Sequence, residues 1–100
     1  MATFLYLFKA DAPDRSKAGD MNEWGTFIDG LRERGHFVGG GPLGEGCLRR
    51  PESTTNEVSE EIGGYMVVTA NSLEQAAALL DACPTTRGGG TVEVRRVPEV

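Results

Sequence analysis

Residues 63–84, GGYMVVTANSLEQAAALLDACP, contain the pattern that decides the fold. An uninterrupted apolar run comes first, and such runs are typical of strands that are buried on both faces. A helical pattern follows, in which Ser72 and Gln75 form a capping box at the start and Pro84 ends the helix. One face of this helix is predicted to be buried, and it consists of Leu73, Ala76, Ala77, Leu80 and Cys83.

The same sequence of strand and helix occurs at the start of the chain. Residues 3–8, TFLYLF, form a second continuous apolar run. A helix is predicted after Asp20, which caps it together with Glu23, and Gly35 provides its left-handed stop. Arg32 and Arg34 suit the negative end of the helix dipole. The apolar stripe of this helix consists of Met21, Trp24, Phe27, Ile28 and Leu31.

The remaining segments complete a pattern of six elements. Residues 36–40, HFVGG, predict a short strand, and residues 91–97, TVEVRRV, predict the last one. Residues 39–61 predict a long connection with a brief strand near 47–49. The order strand, helix, strand, strand, helix, strand indicates an α+β fold of the ferredoxin-like βαββαβ type, with a four-stranded antiparallel sheet. The two continuous apolar strands should be central, and a second copy of the chain should cover the face that the two helices leave open.

Length, charge and cysteine content limit the function. The 100 residues predict a single domain, 1–100, with a net charge of −5, which argues against nucleic-acid binding. The first apolar run is too short to cross a membrane and lacks a basic leader, so we expect a protein of the cytoplasm without a membrane partner. Two isolated cysteines and one histidine predict neither a disulfide scaffold nor a metal site, and no cofactor is expected.

Two motifs suggest chemistry but have simpler explanations. GGGPLG, residues 39–44, matches the glycine pattern of dinucleotide-binding turns, yet no helix pattern follows to receive a pyrophosphate. His36 is the only side chain that ordinarily titrates near neutral pH, so it is the first candidate for acid–base catalysis. Its position at an edge strand favours a partly exposed histidine that is bonded to backbone or water.

A few further side chains are candidates for a site between sheet and helices. Tyr6 and Tyr65 lie on the central strands and either line a pocket through their hydroxyls or pack in the core. Arg87 precedes three glycines and is a candidate for holding an anion, although exposed loop arginines usually have no such role. Trp24 and Cys83 lie on core faces of the two helices, which favours packing for both.

Residues 57–97 resemble the YciI-related proteins, in particular the branch that is named after an Asp-Gly-Pro-Phe tetrapeptide. The similar features are a Gly-Gly-aromatic strand in GGYMVVTA, a short helix, its Cys-Pro ending and the strand in GGGTVEV. The tetrapeptide itself is absent, since PESTTN precedes Glu57, and the chain is identified as an outlying member. The resemblance implies a ferredoxin-like subunit that pairs into a dimeric α/β barrel.

The resemblance also implies where a site would lie. Characterised relatives in the wider family include a dehydrochlorinase that acts on a hydroxylated aromatic ring. The site proposed for these relatives pairs a histidine of the first helix with an aspartate before the proline that ends the second. Counted from Gly35 and Pro84, these positions are Trp24 and Cys83 in this chain. An indole cannot take up a proton at neutral pH, so the paired acid and base are lost.

Three functions follow from these residues. The favoured one is a dimer that binds a small aromatic or apolar molecule in a sheet-helix cleft without the His/Asp pair. The alternative is an enzyme of the lyase or isomerase type in which His36 or Tyr65 is a relocated proton carrier. A regulatory interaction module is the third, because relatives of this branch are often associated with extracytoplasmic-function sigma factors.

Overall fold

The computed structural model of the chain describes residues 1–13, 19–59 and 61–99. Its strands and helices are β1 (Ala2–Lys9), α1 (Met21–Glu33), β2 (Phe37–Pro42), β3 (Leu48–Arg50), β4 (Ser53–Thr55), β5 (Ile62–Ala70), α2 (Leu73–Ala78), α3 (Pro84–Arg87) and β6 (Val92–Val97). A turn of 3₁₀-helix, Leu79–Ala82, continues α2 toward α3. Among the described helices, none has the length and apolar character that crossing a membrane requires.

Four of the strands form an antiparallel sheet in the order β2–β5–β1–β6. The prediction that the two continuous apolar strands are central is therefore confirmed, because β1 and β5 each have a neighbour on both sides. Tyr6 of β1 stands opposite Met66 of β5 and Val94 of β6. The mixed architecture of helices on a four-stranded antiparallel sheet agrees with the predicted α+β class.

Burial alternates along the central strands. On β1, Phe4, Tyr6 and Phe8 are buried, while the intervening residues are only partly covered. This alternation follows from the two-residue period of a strand, with one face of the sheet packed against helices. The core between sheet and helices consists of Phe4, Tyr6, Phe8, Phe27, Leu31, Met66, Val68, Ala70, Ala76, Leu80 and Cys83. The opposite face includes Leu5, Leu7, Tyr65 and Val67.

Helix α1 begins with the predicted capping box. The Asp20 carboxylate accepts the backbone N–H of Glu23 at 2.8 Å, and the Glu23 carboxylate accepts that of Asp20 at 3.1 Å. Gly35 adopts the left-handed conformation after the helix, with φ at 76°. Met21 was wrongly placed on the buried stripe, since it is 87% exposed. It lies at the first helical position, and the stripe that contacts the sheet starts one turn later, at Trp24.

The second helix is shorter and tighter than the sequence pattern predicts. After Ala78 it becomes a 3₁₀-helix with three residues per turn, so Ala76, Leu80 and Cys83 are buried. Leu73 and Ala77 were wrongly predicted on the same buried face, since both are exposed. At the start, Ser72 accepts the N–H of Gln75 as predicted.

Pro84 does not simply end the second helix. Cys83, the residue before it, is extended at φ −75° and ψ 133°, because a residue before proline disfavours the helical conformation. Pro84 then occupies the first position of α3, where its missing N–H costs nothing. The chain therefore makes a second helical turn where the sequence predicted a loop.

The long connection between β2 and β5 contains a separate hairpin. Strand β3 pairs antiparallel with β4, and Pro51 and Glu52 form the turn between them. The predicted brief strand near 47–49 corresponds to β3 at 48–50, while β4 was not predicted. The hairpin forms its own two-stranded sheet outside the main one.

Candidate functional site

Trp24 packs into a row of aromatic rings between α1 and β1. Its ring lies edge to face with Phe8 at 5.4 Å between centroids and with Phe27 at 6.1 Å. Phe8 in turn contacts Tyr6 at 6.2 Å. Such perpendicular pairs are the geometry that aromatic quadrupoles prefer, and they fix the indole against the core. Trp24 itself is only partly buried. The indole therefore acts as packing on the inner side of α1.

Cys83 is fully buried at the junction of the second helix and α3. Burial raises the pKa of its thiol above the ordinary value, although the backbone N–H groups of Thr85 and Thr86 and the Thr85 side chain act in the opposite direction. A buried thiol with a raised pKa is a poor nucleophile and a poor proton acceptor at neutral pH. The geometry thus agrees with the expectation that Cys83 serves as a small apolar residue.

Tyr6 is likewise inside the core. Its hydroxyl donates a hydrogen bond of 2.5 Å to the carbonyl of Ala76. Desolvation, and to a smaller extent the nearby Cys83 thiol, raise the pKa of Tyr6 to about 12. This hydrogen bond holds α2 against the sheet, and it gives the buried phenol the partner that its O–H group needs. Tyr6 therefore lies in the core rather than at a cavity wall.

His36 lies far from Trp24. The side chain was expected to be partly exposed, but it is buried, with 8% exposure. Its Nδ1 donates to the carbonyl of Thr69 at 2.7 Å, since a carbonyl can only accept. Thr69 stands opposite Thr3, whereas Trp24 packs on Phe8. Five residues of strand separate these two points, which is roughly 16 Å at about 3.3 Å per residue. His36 and Trp24 therefore occupy opposite ends of the sheet.

Tyr65 lies on the face of the sheet that no described helix covers. It is 39% exposed, and on β1 its partner in the register is Leu7. Its side chain points away from the core that contains Tyr6 and Cys83. The candidates predicted from sequence are thus brought together only in part: Tyr6, Trp24 and Cys83 share one core, and His36 and Tyr65 lie outside that cluster.

A groove opens on the outer side of the helices, between α1 and α3, and we call it the α1–α3 groove. Its volume is about 640 Å³. Gly19 lies so close to Pro84 that an added Cβ would clash with the proline ring, which draws the start of α1 against α3. The residues that line the groove include Asn22, Glu23, Thr26, Phe27, Gly30, Arg34, Pro84 and Arg87.

Arg87 is the one sequence-predicted site residue that lines this groove, and Arg34 lies beside the same space. Sequence reasoning had assigned Arg34 only to the dipole of α1. Its Nε donates to the carbonyl of Gly30 at 3.0 Å, so the side chain folds back along the helix toward the groove. The spacing of Gly30 and Arg34 by four residues, one helical turn, is the signal that could have indicated this direction.

A second cavity of about 500 Å³ lies near the two ends of the chain, beside Thr3, Asn71 and Arg96. Neither this cavity nor the α1–α3 groove is lined by Trp24, Cys83 or Tyr6. In the described ranges, no three His, Cys, Asp or Glu side chains are grouped so that they could hold a metal ion. Of these two spaces the α1–α3 groove is the larger, and it is lined by Pro84, the residue after Cys83.

The sequence model of the YCII-related domain matches residues 3–100. The chain belongs to the family of YCII-related domain proteins. A search of the curated proteins found no significant match. Among solved structures, the chain is similar to 5-chloro-2-hydroxyhydroquinone dehydrochlorinase from Burkholderia phenoliruptrix AC1100, solved in complex with 2,5-dihydroxybenzoquinone. The TM-score is 0.62 at 17% identity, over 100% of this chain and 96% of that one.

Membership of the YCII-related family and the similarity to that enzyme establish the fold. At 17% identity the similarity carries no activity to this chain. The residues at the positions that the resemblance assigns to acid–base chemistry are Trp24 and Cys83, an indole in a row of rings and a buried thiol. The family fold is thus present, with packing side chains at these two positions.

Proposed function

We propose that this YCII-related domain protein is a homodimer that binds a small molecule without acid–base catalysis. The observation that carries the proposal is the packing of Trp24 and the burial of Cys83. The indole is packed between Phe8 and Phe27, and the thiol is fully buried with a raised pKa. Neither group can take up or deliver a proton at neutral pH.

The binding site we propose is the α1–α3 groove. The sequence alone favoured a cleft between sheet and helices, but in the described residues that space is occupied by the rings of Tyr6, Phe8 and Trp24. The groove lies immediately outside this packing, because Phe27 contributes to both the row of rings and the groove lining. Its volume of about 640 Å³ is in the range of sites for small ligands.

The strand order supports a ferredoxin-like subunit, and the open sheet face supports its pairing. Leu5, Leu7, Tyr65 and Val67 lie on that face, which the described helices do not cover. A sheet with an apolar face is stable in water only when another layer covers that face. A second copy, related by two-fold symmetry, would supply the layer and form the barrel of two sheets.

The alternative of a lyase or isomerase is supported by the dehydrochlorinase among the similar structures. In this chain its two candidate proton carriers lie apart from the family site. His36 donates its Nδ1 proton to a backbone carbonyl at the far end of the sheet, and Tyr65 lies on the other face. The sigma-factor association and the Asp-Gly-Pro-Phe branch stay predictions.

The test combines binding with turnover. Phenol, 2-hydroxybenzamide, 2-hydroxybenzoate and 5-chloro-2-hydroxyhydroquinone are added to isotope-labelled protein, and amide NMR shifts report binding while chloride release reports dehydrochlorination. We expect saturable shifts at the groove for at least one compound and no chloride release above the buffer rate.

The matched variants are Thr26→Trp, which fills the groove from the exposed side of α1, and Thr54→Trp on the separate hairpin. The first should abolish the shifts and the second should leave them unchanged. Chloride release that exceeds the buffer rate, or an unaltered response in Thr26→Trp protein that is folded by circular dichroism, would overturn the proposal.

A further inference from the structure

We propose that the α1–α3 groove takes a small organic anion, an aromatic carboxylate in the first instance, and that Arg34 and Arg87 hold its charge. This inference rests on the proposed function and adds the chemical class of the ligand. The two guanidinium groups come from different elements, the end of α1 and the end of α3, and both line the same groove.

Arg34 and Arg87 are among the basic side chains that no ion pair of the described residues neutralises. Lys9 and Arg95 each pair with Glu93, and Arg32 pairs with Asp29. Within residues 1–13, 19–59 and 61–99, neither Arg34 nor Arg87 forms an ion pair. Two unneutralised guanidinium groups beside one groove attract an anion there, even though the chain as a whole has a net charge of −5.

Arg34 is partly preorganised for this role. Its Nε is committed to the carbonyl of Gly30 at 3.0 Å, which fixes the plane of the guanidinium group along α1. An added Cβ at Gly30 would lie 3.5 Å from an Nη of Arg34, an ordinary contact distance, so the guanidinium group lies close over Gly30 on the helix surface. The terminal N–H groups are then available to donate two parallel hydrogen bonds to a carboxylate, the geometry that guanidinium favours.

Arg87 supplies the second charge from the opposite wall. Its side chain makes no hydrogen bond or ion pair with any residue of the described ranges, and it is exposed. The single carboxylate on the groove, that of Glu23, accepts the backbone N–H of Asp20 in the capping box. The lining therefore has two positive groups and one negative group, a net excess of one positive charge.

The floor of the groove suits the apolar part of such a ligand. Phe27 and Pro84, both buried, present carbon atoms to it, and Gly30 and Gly88 present backbone without a side chain. An anion with a flat apolar body could place the ring against Phe27 and Pro84 while its charge meets the arginines. Free phosphate or chloride would use the arginines and leave this floor uncovered.

The experiment compares two probes that differ in charge and hardly in shape, 2-hydroxybenzoate and 2-hydroxybenzamide. Their dissociation constants are measured by amide NMR shifts on the full chain. We expect 2-hydroxybenzoate to bind more tightly, and higher sodium chloride to weaken it because salt screens exposed charges. Arg87→Gln should weaken the carboxylate about three- to tenfold and the amide less than about twofold, as for loss of one exposed charged contact.

The controls separate this inference from the proposed function. Arg50→Gln removes an exposed arginine on β3, outside the groove, and should change neither constant. Arg34→Gln tests the second guanidinium group. If either glutamine variant loses stability, Arg87→Lys tests whether a positive charge alone is enough to bind the carboxylate. Equal affinity for the two probes, or an unaffected carboxylate in both glutamine variants, overturns the assignment of an anion while small-molecule binding stands. Inorganic phosphate that competes fully with 2-hydroxybenzoate at equal concentration would overturn the role of the apolar floor.

Discussion

At the scale of single residues, the two thiols of the chain differ in their exposure. Cys83 and Cys47 are the two cysteines, the first buried and the second exposed, and neither forms a disulfide. Reactivity of a thiol depends on access and on the fraction of thiolate. Burial removes the access of Cys83 and raises its pKa, so the two cysteines should behave very differently.

We predict that one thiol per chain reacts rapidly with Ellman's reagent at neutral pH, and that the second reacts only when the protein unfolds. The Cys47→Ser variant leaves Cys83 alone and should react more than about a hundredfold more slowly than the unfolded chain, because the thiol must wait for local opening. The Cys83→Ala variant is the control, with the rapid phase intact. Rapid labelling of folded Cys47→Ser protein would contradict the burial of Cys83.

The Tyr6 hydroxyl predicts how stability depends on high pH. Its pKa is raised from 10.0 to about 12, so the folded protein favours the neutral phenol. A group whose pKa is raised on folding contributes stability below its unfolded pKa and loses that contribution as the pH rises through the folded value. The contribution of Tyr6 is therefore complete below about pH 10 and declines between about pH 10 and 12.

Tyr6→Phe should cost about 1 kcal/mol near neutral pH because the Ala76 carbonyl loses its buried donor. The difference in unfolding free energy between wild type and this variant should narrow as pH rises from about 10 to 12. Urea unfolding at a series of pH values measures it. Tyr65→Phe, on the exposed side of the sheet, is the matched control, and a constant difference for Tyr6→Phe across this window would contradict the prediction.

At the scale of elements, each helix and strand was predictable wherever a local rule decides it. The capping box of α1 and the left-handed Gly35 follow from side chains that are close in sequence, and both are confirmed. The end of the second helix was not predictable in this way, because Pro84 both stops one helix and starts another. The short hairpin was half predicted, since polar strands of three residues have no hydrophobic period.

Two glycines in elements should respond to alanine in opposite directions. Gly25 lies inside α1 with nothing within 4 Å of an added Cβ, so Gly25→Ala should stabilise the protein by about 0.5–1 kcal/mol. Gly40 in β2 has φ at +151°, and an added Cβ would meet the backbone of β5 at Met66 Cα, 2.7 Å away. Gly40→Ala should destabilise by more than about 2 kcal/mol.

Chemical unfolding of both variants against the wild type measures these effects. The pair acts as its own control, because the same methyl group is added in an open place and in a closed one. A loss of stability in Gly25→Ala would show that the exposed side of α1 is covered, and a neutral Gly40→Ala would contradict the close approach of β2 to β5.

At the scale of the whole molecule, the strand order leaves one face of the sheet to be covered. Tyr65 is central to that face and 39% exposed, with Leu7 opposite it in the register. We predict that the wild type is a dimer and that Tyr65→Arg is a monomer, since pairing of the sheet faces would bury each guanidinium group without a charged partner. Size-exclusion chromatography with light scattering measures the mass.

The matched control is Leu73→Arg, a change of an apolar residue that is 50% exposed on α2, on the helix side of the protein. This variant should stay dimeric and should melt like the wild type. A dimeric Tyr65→Arg protein with a monomeric Leu73→Arg protein would place the interface on the helices instead and contradict the pairing of sheets.

The sequence by itself determined the four strands of the main sheet, the two longer helices, which strands are central and how α1 is capped. These features depend on hydrophobic period and on contacts within a few residues, and the printed sequence contains both. That Trp24 and Cys83 stand at the positions of a proton-transferring pair is what the resemblance to YciI-related proteins implies, and it stays a prediction.

Only the tertiary structure decided where the open space lies. Arg34 ends one helix and Arg87 ends another, and their common groove depends on how α1 packs beside α3 at Gly19 and Pro84. It also decided that the Tyr6 hydroxyl donates its hydrogen bond to the Ala76 carbonyl inside the core, so that this hydroxyl does not line a pocket. The physical reason is the same for both: distances between residues remote in sequence are set by packing of the whole chain, and no local pattern encodes them.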